Sequence, residues 1–502
     1  AITSVTLPST LSELGGNVFE NCARLSSAIF AKGNTSLTTI PNKLFAGTAL
    51  TSITLPRGIN FIGSDNPFGS VMETFAVEEG ESEAFVSVRE GILYYKEAGG
   101  LVMAAIPANY SFENNSFTVP DGVYKISGNL FKNSGITQVT LSEDVTELMT
   151  DAFNGVTTLT AVYFAENGNL TVIGSNAFKN TSLESAEIPN TVKTLGSNAF
   201  DGVTTLKSLT FEEGGEQTLN VKGQVIKGTS LTSLAFPARS LTFDGKTFEN
   251  VSTLETVTFA DSTNELVLNE SVFKGTAGSS LNFGNRLITF KKAALNKLAT
   301  LTSVIFGENA IIKQAEDEAF TGTSLTTVQI PAVENVSKFG NGVFGGISTL
   351  ESFTLAENNT VHEVVDGVLY LKDGENLILI QVPAGKFDAQ DTFVLPDNVV
   401  TIKTYAFEGV TVDTVYTSAD SILATLEKDC FGYYVATLSC KVKTLVLPAT
   451  VSKFDAKAVE NCTQLSAINY RGTGIQWGKV VADNNLSLPD SITVTPNFVD
   501  AA

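Results

Sequence analysis

A seven-residue phrase, Leu-x-x-Ile-x-Leu-Pro, recurs along this chain and restricts its possible folds more than any other feature. Copies run from Leu50 to Pro56, Leu183 to Pro189, Leu231 to Pro237 and Leu325 to Pro331, with a late copy from Val442 to Pro448. Opening residues at Ile136, Leu159, Leu183, Leu206, Leu231 and Leu254 set a period of about 23 to 25 residues, too short for an independent domain. One such unit cannot cover its own apolar positions, so neighbouring copies must stack. A length of 502 residues would otherwise suggest several globular domains; with this period it predicts a continuous array over 1–470 and a cap or tail over 471–502.

Within the phrase the first, fourth and sixth positions are apolar, and the others are mostly Thr or Ser, which reads as a short strand. The closing Pro has no backbone donor and turns the chain out of the sheet. A second apolar pair follows, as in Val192 and Leu195 before Gly196, where glycine is expected to permit a tight bend. An Ala-Phe element then closes the coil, with Phe19, Phe45, Phe153, Phe178, Phe200, Phe248, Phe273, Phe320, Phe344 and Phe407 predicted to stack as an aromatic spine. The composition fits repeated copying of one short unit: 33 Phe against one Trp and one His. The period is that of leucine-rich repeats. The expected fold is a mainly β leucine-rich-repeat solenoid of the α/β superhelix class, a right-handed curved stack of about 20 coils spaced by about 4.8 Å, with a parallel sheet on its concave face.

Two stretches break the period, near 85–118 and 361–393. In the first, Gly91-Ile92-Leu93-Tyr94-Tyr95-Lys96 turns near Gly99-Gly100 and returns through Leu101-Val102-Met103 to Pro107. In the second, Gly367-Val368-Leu369-Tyr370-Leu371-Lys372 turns near Asp373-Gly374 and returns to Pro383. Both are predicted β-hairpin insertions. Phe344 and Phe68, Tyr370 and Tyr94, Lys372 and Lys96, Pro383 and Pro107, and Phe407 and Phe131 are each 276 residues apart, so a block has been duplicated. After Tyr470, the run Arg471-Gly472-Thr473-Gly474-Ile475-Gln476-Trp477 abandons the period, and Trp477 is expected to shield the last coil. At the other end Ala1-Ile2-Thr3-Ser4 enters a repeat directly without an initiating Met, as expected of a chain cut by processing or by design.

The phrase Leu-Thr-Ser-Ile-Thr-Leu-Pro, the Val-x-x-Ile-Gly and Ala-Phe elements, and the Asn-Cys at 21–22 and 461–462 resemble the BspA-like leucine-rich repeats of bacterial surface proteins. The likeness covers nearly the whole chain and extends to the Val-Leu-Tyr-x-Lys insertions and the Tyr-Arg-Gly-Thr-Gly-Ile-Gln-Trp ending. It implies a secreted or surface-anchored protein that adheres to host matrix proteins or to other cells. The chain departs from the pattern where Asn180-Thr181 or Gly47-Thr48 stands in place of Asn-Cys.

Charge and chemistry narrow the function further. A net charge of −21 and the lack of any basic run oppose nucleic-acid binding. No apolar run approaches the roughly 18 to 20 residues of a membrane helix. His362 is the sole histidine, so a His-rich metal site is ruled out and any Ser-His-Asp site would have to use it; a surface or satisfied structural role is expected. No Gly-x-Ser-x-Gly elbow, phosphate-cradling glycine loop or Cys-x-x-Cys pair is present, and no catalytic residue, cofactor or metal is expected. Glu78-Glu79, Glu212-Glu213 and Glu316-Asp317-Glu318 read as solvated turns between coils, although a carbohydrate-active solenoid using paired carboxylates remains an alternative, as does a spacer for another domain. Cys22 and Cys462 match in two repeats and read as buried core, and Cys430 and Cys440 could pair if a turn brings them together.

The candidate ligand surface is the outward fifth position of each phrase: Thr6, Ile29, Thr54, Thr140, Tyr163, Glu187, Thr210, Thr258, Ile305, Gln329, Thr354 and Val446. Ile29, Tyr163, Ile305 and Val446 are expected as exposed apolar points on a Thr-rich ladder. The expected partner is a host protein or cell-surface glycan, bound outside the cell by a monomer.

Overall fold

The computed structural model describes residues 2–80, 84–388, 391–433 and 441–500. They fall into two compact units, Ala1–Pro237 and Ala238–Ala502. Both are mainly β, built from parallel solenoid turns, about 21 in the chain, with almost no helix.

In the first unit the opening phrases pair in parallel with matching register. Ser4–Leu7 lies on Ser27–Phe30, Ser52–Leu55 on Thr74–Val77, and Ser185–Ile188 on Ser208–Phe211. Ser116–Thr118, Gln138–Thr140 and Ala161–Tyr163 form a three-stranded group. The first sheet is thus a series of short patches. The second wall is more continuous: Gly100–Ala105, Val123–Ile126, Glu147–Leu148, Val172–Ile173, Thr194–Leu195 and Leu219–Val221 pair in succession. The second unit repeats the plan. Thr256–Phe259, Ser280–Asn282 and Ser303–Ile305 form one opening group, and Thr392–Val394, Thr414–Tyr416, Thr444–Leu447 and Ala467–Tyr470 form another. Leu241–Phe243, Glu265–Leu268, Leu287–Phe290, Ile311–Ala315 and Ala332–Val333 build part of its second wall.

The Ala-Phe element is a compact turn bounded by two left-handed residues four apart. Asn176 and Asn180 have φ of 54° and 55°, and Asn198 and Gly202 have φ of 57° and 74°. Asn and Gly recur there because both enter this region at low cost. Between them the Phe N–H donates to the next coil, Phe153 to Ala177 O at 2.7 Å and Phe178 to Ala199 O at 2.8 Å, so this corner forms its own ladder. The rings stack beneath it: Phe131 on Phe153, Phe153 on Phe178 and Phe178 on Phe200, with centroids 5.0, 5.5 and 5.3 Å apart.

Two sequence details gain a physical reason. Where Thr replaces the family Cys it is buried like Cys462, and its hydroxyl donates back three residues: Thr48 to Phe45 O and Thr181 to Phe178 O, both at 2.8 Å. A small side chain is required, and the hydroxyl finds a partner without leaving the core. The glycine of Ile-Gly serves close approach and not the expected bend. Gly174 and Gly196 are absent from the left-handed positions, but a Cβ on Gly196 would lie 2.5 Å from the carbonyl carbon of Gly174 and from Ser175 N. Both of those atoms are backbone and cannot swing aside. Gly196→Ala is expected to cost about 2 kcal/mol through overpacking, measurable as a lower urea midpoint.

Each insertion is a three-stranded antiparallel meander. Val86–Arg89, Ile92–Glu97 and Gly100–Ala105 pair antiparallel, and Gly100–Ala105 then joins Val123–Ile126 in parallel. His362–Val365, Val368–Asp373 and Asn376–Gln381 do the same before Val399–Ile402. The two-stranded hairpins expected from the sequence correspond to the second and third strands only. The extra turn is signalled by Glu90-Gly91 and Asp366-Gly367, all four residues at positive φ, as a tight hairpin turn requires. Tyr94, Tyr95 and Tyr370 are buried.

Beyond Tyr470 the chain forms the helix Gly474–Asn484, opened by a capping box in which Thr473 and Gln476 satisfy each other's backbone N–H groups. Trp477 on this helix lies 5.2 Å from Tyr470 and edge-on to Phe454 at 6.3 Å, over the end of the core. Thr493–Thr495 then adds one more parallel strand to Ala467–Tyr470.

Candidate functional site

The fold places the fifth position of each phrase outward because its neighbours on either side point into the core. Within one unit the row residues align across the sheet: Thr6 beside Ile29, Thr118 beside Thr140 and Tyr163, and Glu187 beside Thr210. In the other unit Thr258, Asn282 and Ile305 align, as do Gln329 and Thr354. Thr6, Thr54, Thr140, Glu187, Thr210, Gln329 and Thr354 are exposed, and Thr258 is half-buried. The large apolar members stand clear of the surface, with Ile29 55% exposed, Tyr163 51% and Ile305 47%.

Val446 departs from the expectation. It is buried at 3% exposure, because the C-terminal segment crosses this part of the face. On the adjacent strand Tyr416 donates its hydroxyl to Asp500 at 2.9 Å, and Arg471 binds Asp500 at 2.8 Å while lying over the rings of Tyr416 and Phe498. The Arg471 guanidinium holds the Asp500 carboxyl below its usual range. These contacts join residues 84 apart in sequence, so nothing near Val446 announces them.

The sequence reading also missed row members. Val394, paired with Tyr416, is 59% exposed, and Thr118 and Asn282 sit in register with named residues. Phe393-Val394-Leu395-Pro396 carries the end of the repeat phrase and would have revealed Val394, but the insertion boundary hid it.

Several titratable groups outside the row are tied into the fold. His362 is buried against Phe339, its Nδ1 3.2 Å from the amide of Asn359, and burial with the nearby charge of Lys372 lowers its pKa to about 4. It is a neutral core residue and not a surface one. Glu318, expected to be solvated, is buried at a left-handed position (φ 59°) with Lys292 at 3.7 Å, and desolvation pushes its carboxyl up. Glu316 accepts from Lys291 Nζ and Lys292 N, both at 2.9 Å, and Glu212 accepts from Asn190 N at 3.0 Å. Burial raises the Cys430 thiol well above its ordinary value, which leaves it unreactive; its suggested partner Cys440 lies outside the described residues. Cys462 is buried and Cys22 half-buried. Among the described residues no group of three His, Cys, Asp or Glu could hold a metal ion, and no helix is long and apolar enough to cross a membrane.

A family model described as the BspA type leucine rich repeat region matches residues 1–81, 107–207, 171–267, 267–371 and 386–496. No curated protein matches the sequence. Among solved structures, a leucine-rich cell surface protein from Faecalibacterium prausnitzii A2-165 is 19% identical, with 80% of this chain and 98% of that one covered and a TM-score of 0.31. A leucine-rich repeat protein from Bacteroides ovatus ATCC 8483 is 15% identical, with coverage of 83% and 100% and a TM-score of 0.41. The pneumococcal vaccine antigen PcpA is 14% identical, with coverage of 82% and 99% and a TM-score of 0.25.

Proposed function

We propose that this chain, which belongs to the BspA-type leucine-rich repeat family, is a non-enzymatic binding protein of the bacterial cell surface that holds a host protein or glycan on the outward row of its first sheet. The observation that carries this reading is the set of large apolar side chains left uncovered in a row otherwise made mostly of Thr and other small or polar residues. Ile29 and Tyr163 stand in one unit, Ile305 and Val394 in the other. An exposed strand position asks only for a residue such as Thr, and a Tyr or Ile there leaves apolar area for a partner to cover. Complete burial of one such side chain is worth about 1.5 to 3 kcal/mol, and Tyr is prominent among residues that dominate interfaces. The acidic surface favours a partner that is neutral or basic over nucleic acid.

The test is binding to matrix-protein and glycan arrays by the intact chain and by Thr140→Glu, Tyr163→Glu and Ile305→Glu. All three positions are exposed, so each variant is expected to hold its stability within about 0.5 kcal/mol. Binding is expected to fall by roughly tenfold or more in at least one unit's variants. Retention of full binding by all three would remove this face from consideration.

A further inference from the structure

The internal duplication provides a comparison for a cavity of about 520 Å³ in the first unit, where the first insertion separates the turn at Phe68 from the turn at Phe131. Among its lining residues are Ala105, Asn129 and Lys132. Their counterparts 276 residues on are Gln381, Tyr405 and Glu408. Those three larger or differently charged residues occupy the equivalent space in the second unit. Gln381 is buried, and its Nε2 donates to the carbonyls of Val382, Tyr405 and Ala406 at 3.3, 3.4 and 3.3 Å. Glu408 is fully buried directly over Gly345, and Tyr405 packs on Gly342. In the first unit Ala105 has no side-chain amide to offer. The carbonyls matching those that receive Gln381 belong to Ile106, Asn129 and Leu130, and all three residues line the cavity. The turn after Phe68 is also shorter: Phe75 and its counterpart Phe353 are 278 apart, where Phe68 and Phe344 are 276 apart.

We propose that this cavity is a binding site for a neutral saccharide of one or two sugar units. Its volume lies within the range of about 300 to 1,000 Å³ found for small-ligand pockets. Its charged residues are two acids, Glu20 and Asp65, and two bases, Lys43 and Lys132, with Lys43 and Asp65 already paired at 3.3 Å, so the lining has no net charge with which to hold an ion. Asn side chains and backbone carbonyls supply donors and acceptors side by side, which suits hydroxyl groups that do both. Tyr110 and Phe112, whose rings are 4.9 Å apart, supply the apolar surface on which the C–H face of a sugar ring packs. No residue of the outward row lines the cavity, so the site goes beyond the sheet-face function and stands or falls separately from it.

The intact chain is titrated with N-acetylglucosamine, galactose and lactose, with saturation transfer from protein to sugar protons as the readout. At least one of the three is expected to receive transfer at millimolar concentration. Ala105→Gln installs the side chain that fills the duplicate and is expected to weaken binding by roughly tenfold or more, as is Tyr110→Ala, while Tyr163→Glu on the row leaves it unchanged. Should Ala105→Gln lower the melting temperature, Tyr110→Ala, at a half-buried position, carries the test alone. Absence of transfer to all three sugars overturns the proposal, and so does transfer that survives both cavity variants. Transfer lost in Tyr163→Glu but kept in the cavity variants assigns the sugar to the sheet face and also overturns it.

Discussion

Phe178→Ala is expected to lower the stability of the first unit by about 4 kcal/mol, the largest effect of any single substitution considered. The ring is completely buried and stacks between Phe153 and Phe200, the first pair nearly parallel at an interplanar angle of 1° and the second at 17°. Removal of it leaves a cavity whose walls cannot collapse, because the turns above and below are held by the ladder from Phe153 N to Ala177 O and from Phe178 N to Ala199 O. The loss is therefore the transfer term plus the cavity term, with the stacking of two aromatic neighbours added. In a repeat array stability is close to a sum of coil terms and neighbour interfaces, so the damage centres on the coils around 153–200. Urea unfolding gives the magnitude, and amide exchange gives the location, with the amides of Ala177 and Phe178 expected to lose most protection. A cost below about 1 kcal/mol would mean that the stacked rings are not the core element that the geometry makes them.

Acidification should destabilise the second unit through His362 by up to about 3 kcal/mol. The ring is 1% exposed, and its pKa falls from the ordinary 6.5 to about 4, first through desolvation and then through the charge of Lys372. Between those two values the unfolded chain binds a proton that the folded chain excludes. Stability from this group is thus complete above pH 6.5, declines as the pH falls, and is gone below about pH 4. At pH 5 roughly 2 kcal/mol is expected to be lost from this group alone. The many carboxylates titrate in the lower part of the same range, so the measurement is a difference between the intact chain and His362→Leu, unfolded in urea at pH 7 and pH 5. The variant starts less stable, having given up the contact with Asn359, and its decline over this range should be shallower. Equal slopes would show that the folded ring accepts its proton freely.

Much of this molecule was legible because the information is periodic. Alternation in Leu-x-x-Ile-x-Leu-Pro fixes which side chains of a strand face inward, and a period of about 23 to 25 residues leaves stacking as the sole means of burying them. Coil order, parallel pairing, the Phe spine, the insertion sites and the outward direction of Ile29, Tyr163 and Ile305 all follow from that rule. The 276-residue offset that marks the duplication is likewise a property of the sequence alone.

Sequence was silent wherever an answer depended on what crosses a coil from far along the chain. Val446 obeys the same alternation as Ile305, yet one is covered by the segment that carries Asp500 and the other is open. The Ile-Gly glycine looks like a bend residue in a line of letters, whereas its need is the backbone of the preceding coil, which a Cβ on Gly196 would approach to 2.5 Å. His362 and Glu318 sit among polar neighbours in sequence and are nonetheless buried. Local pattern determines which way a residue points, since that depends on strand and turn geometry a few residues long. What lies in front of the residue depends on contacts between distant segments, and these determine exposure, ionisation and the choice between a filled and an open cavity.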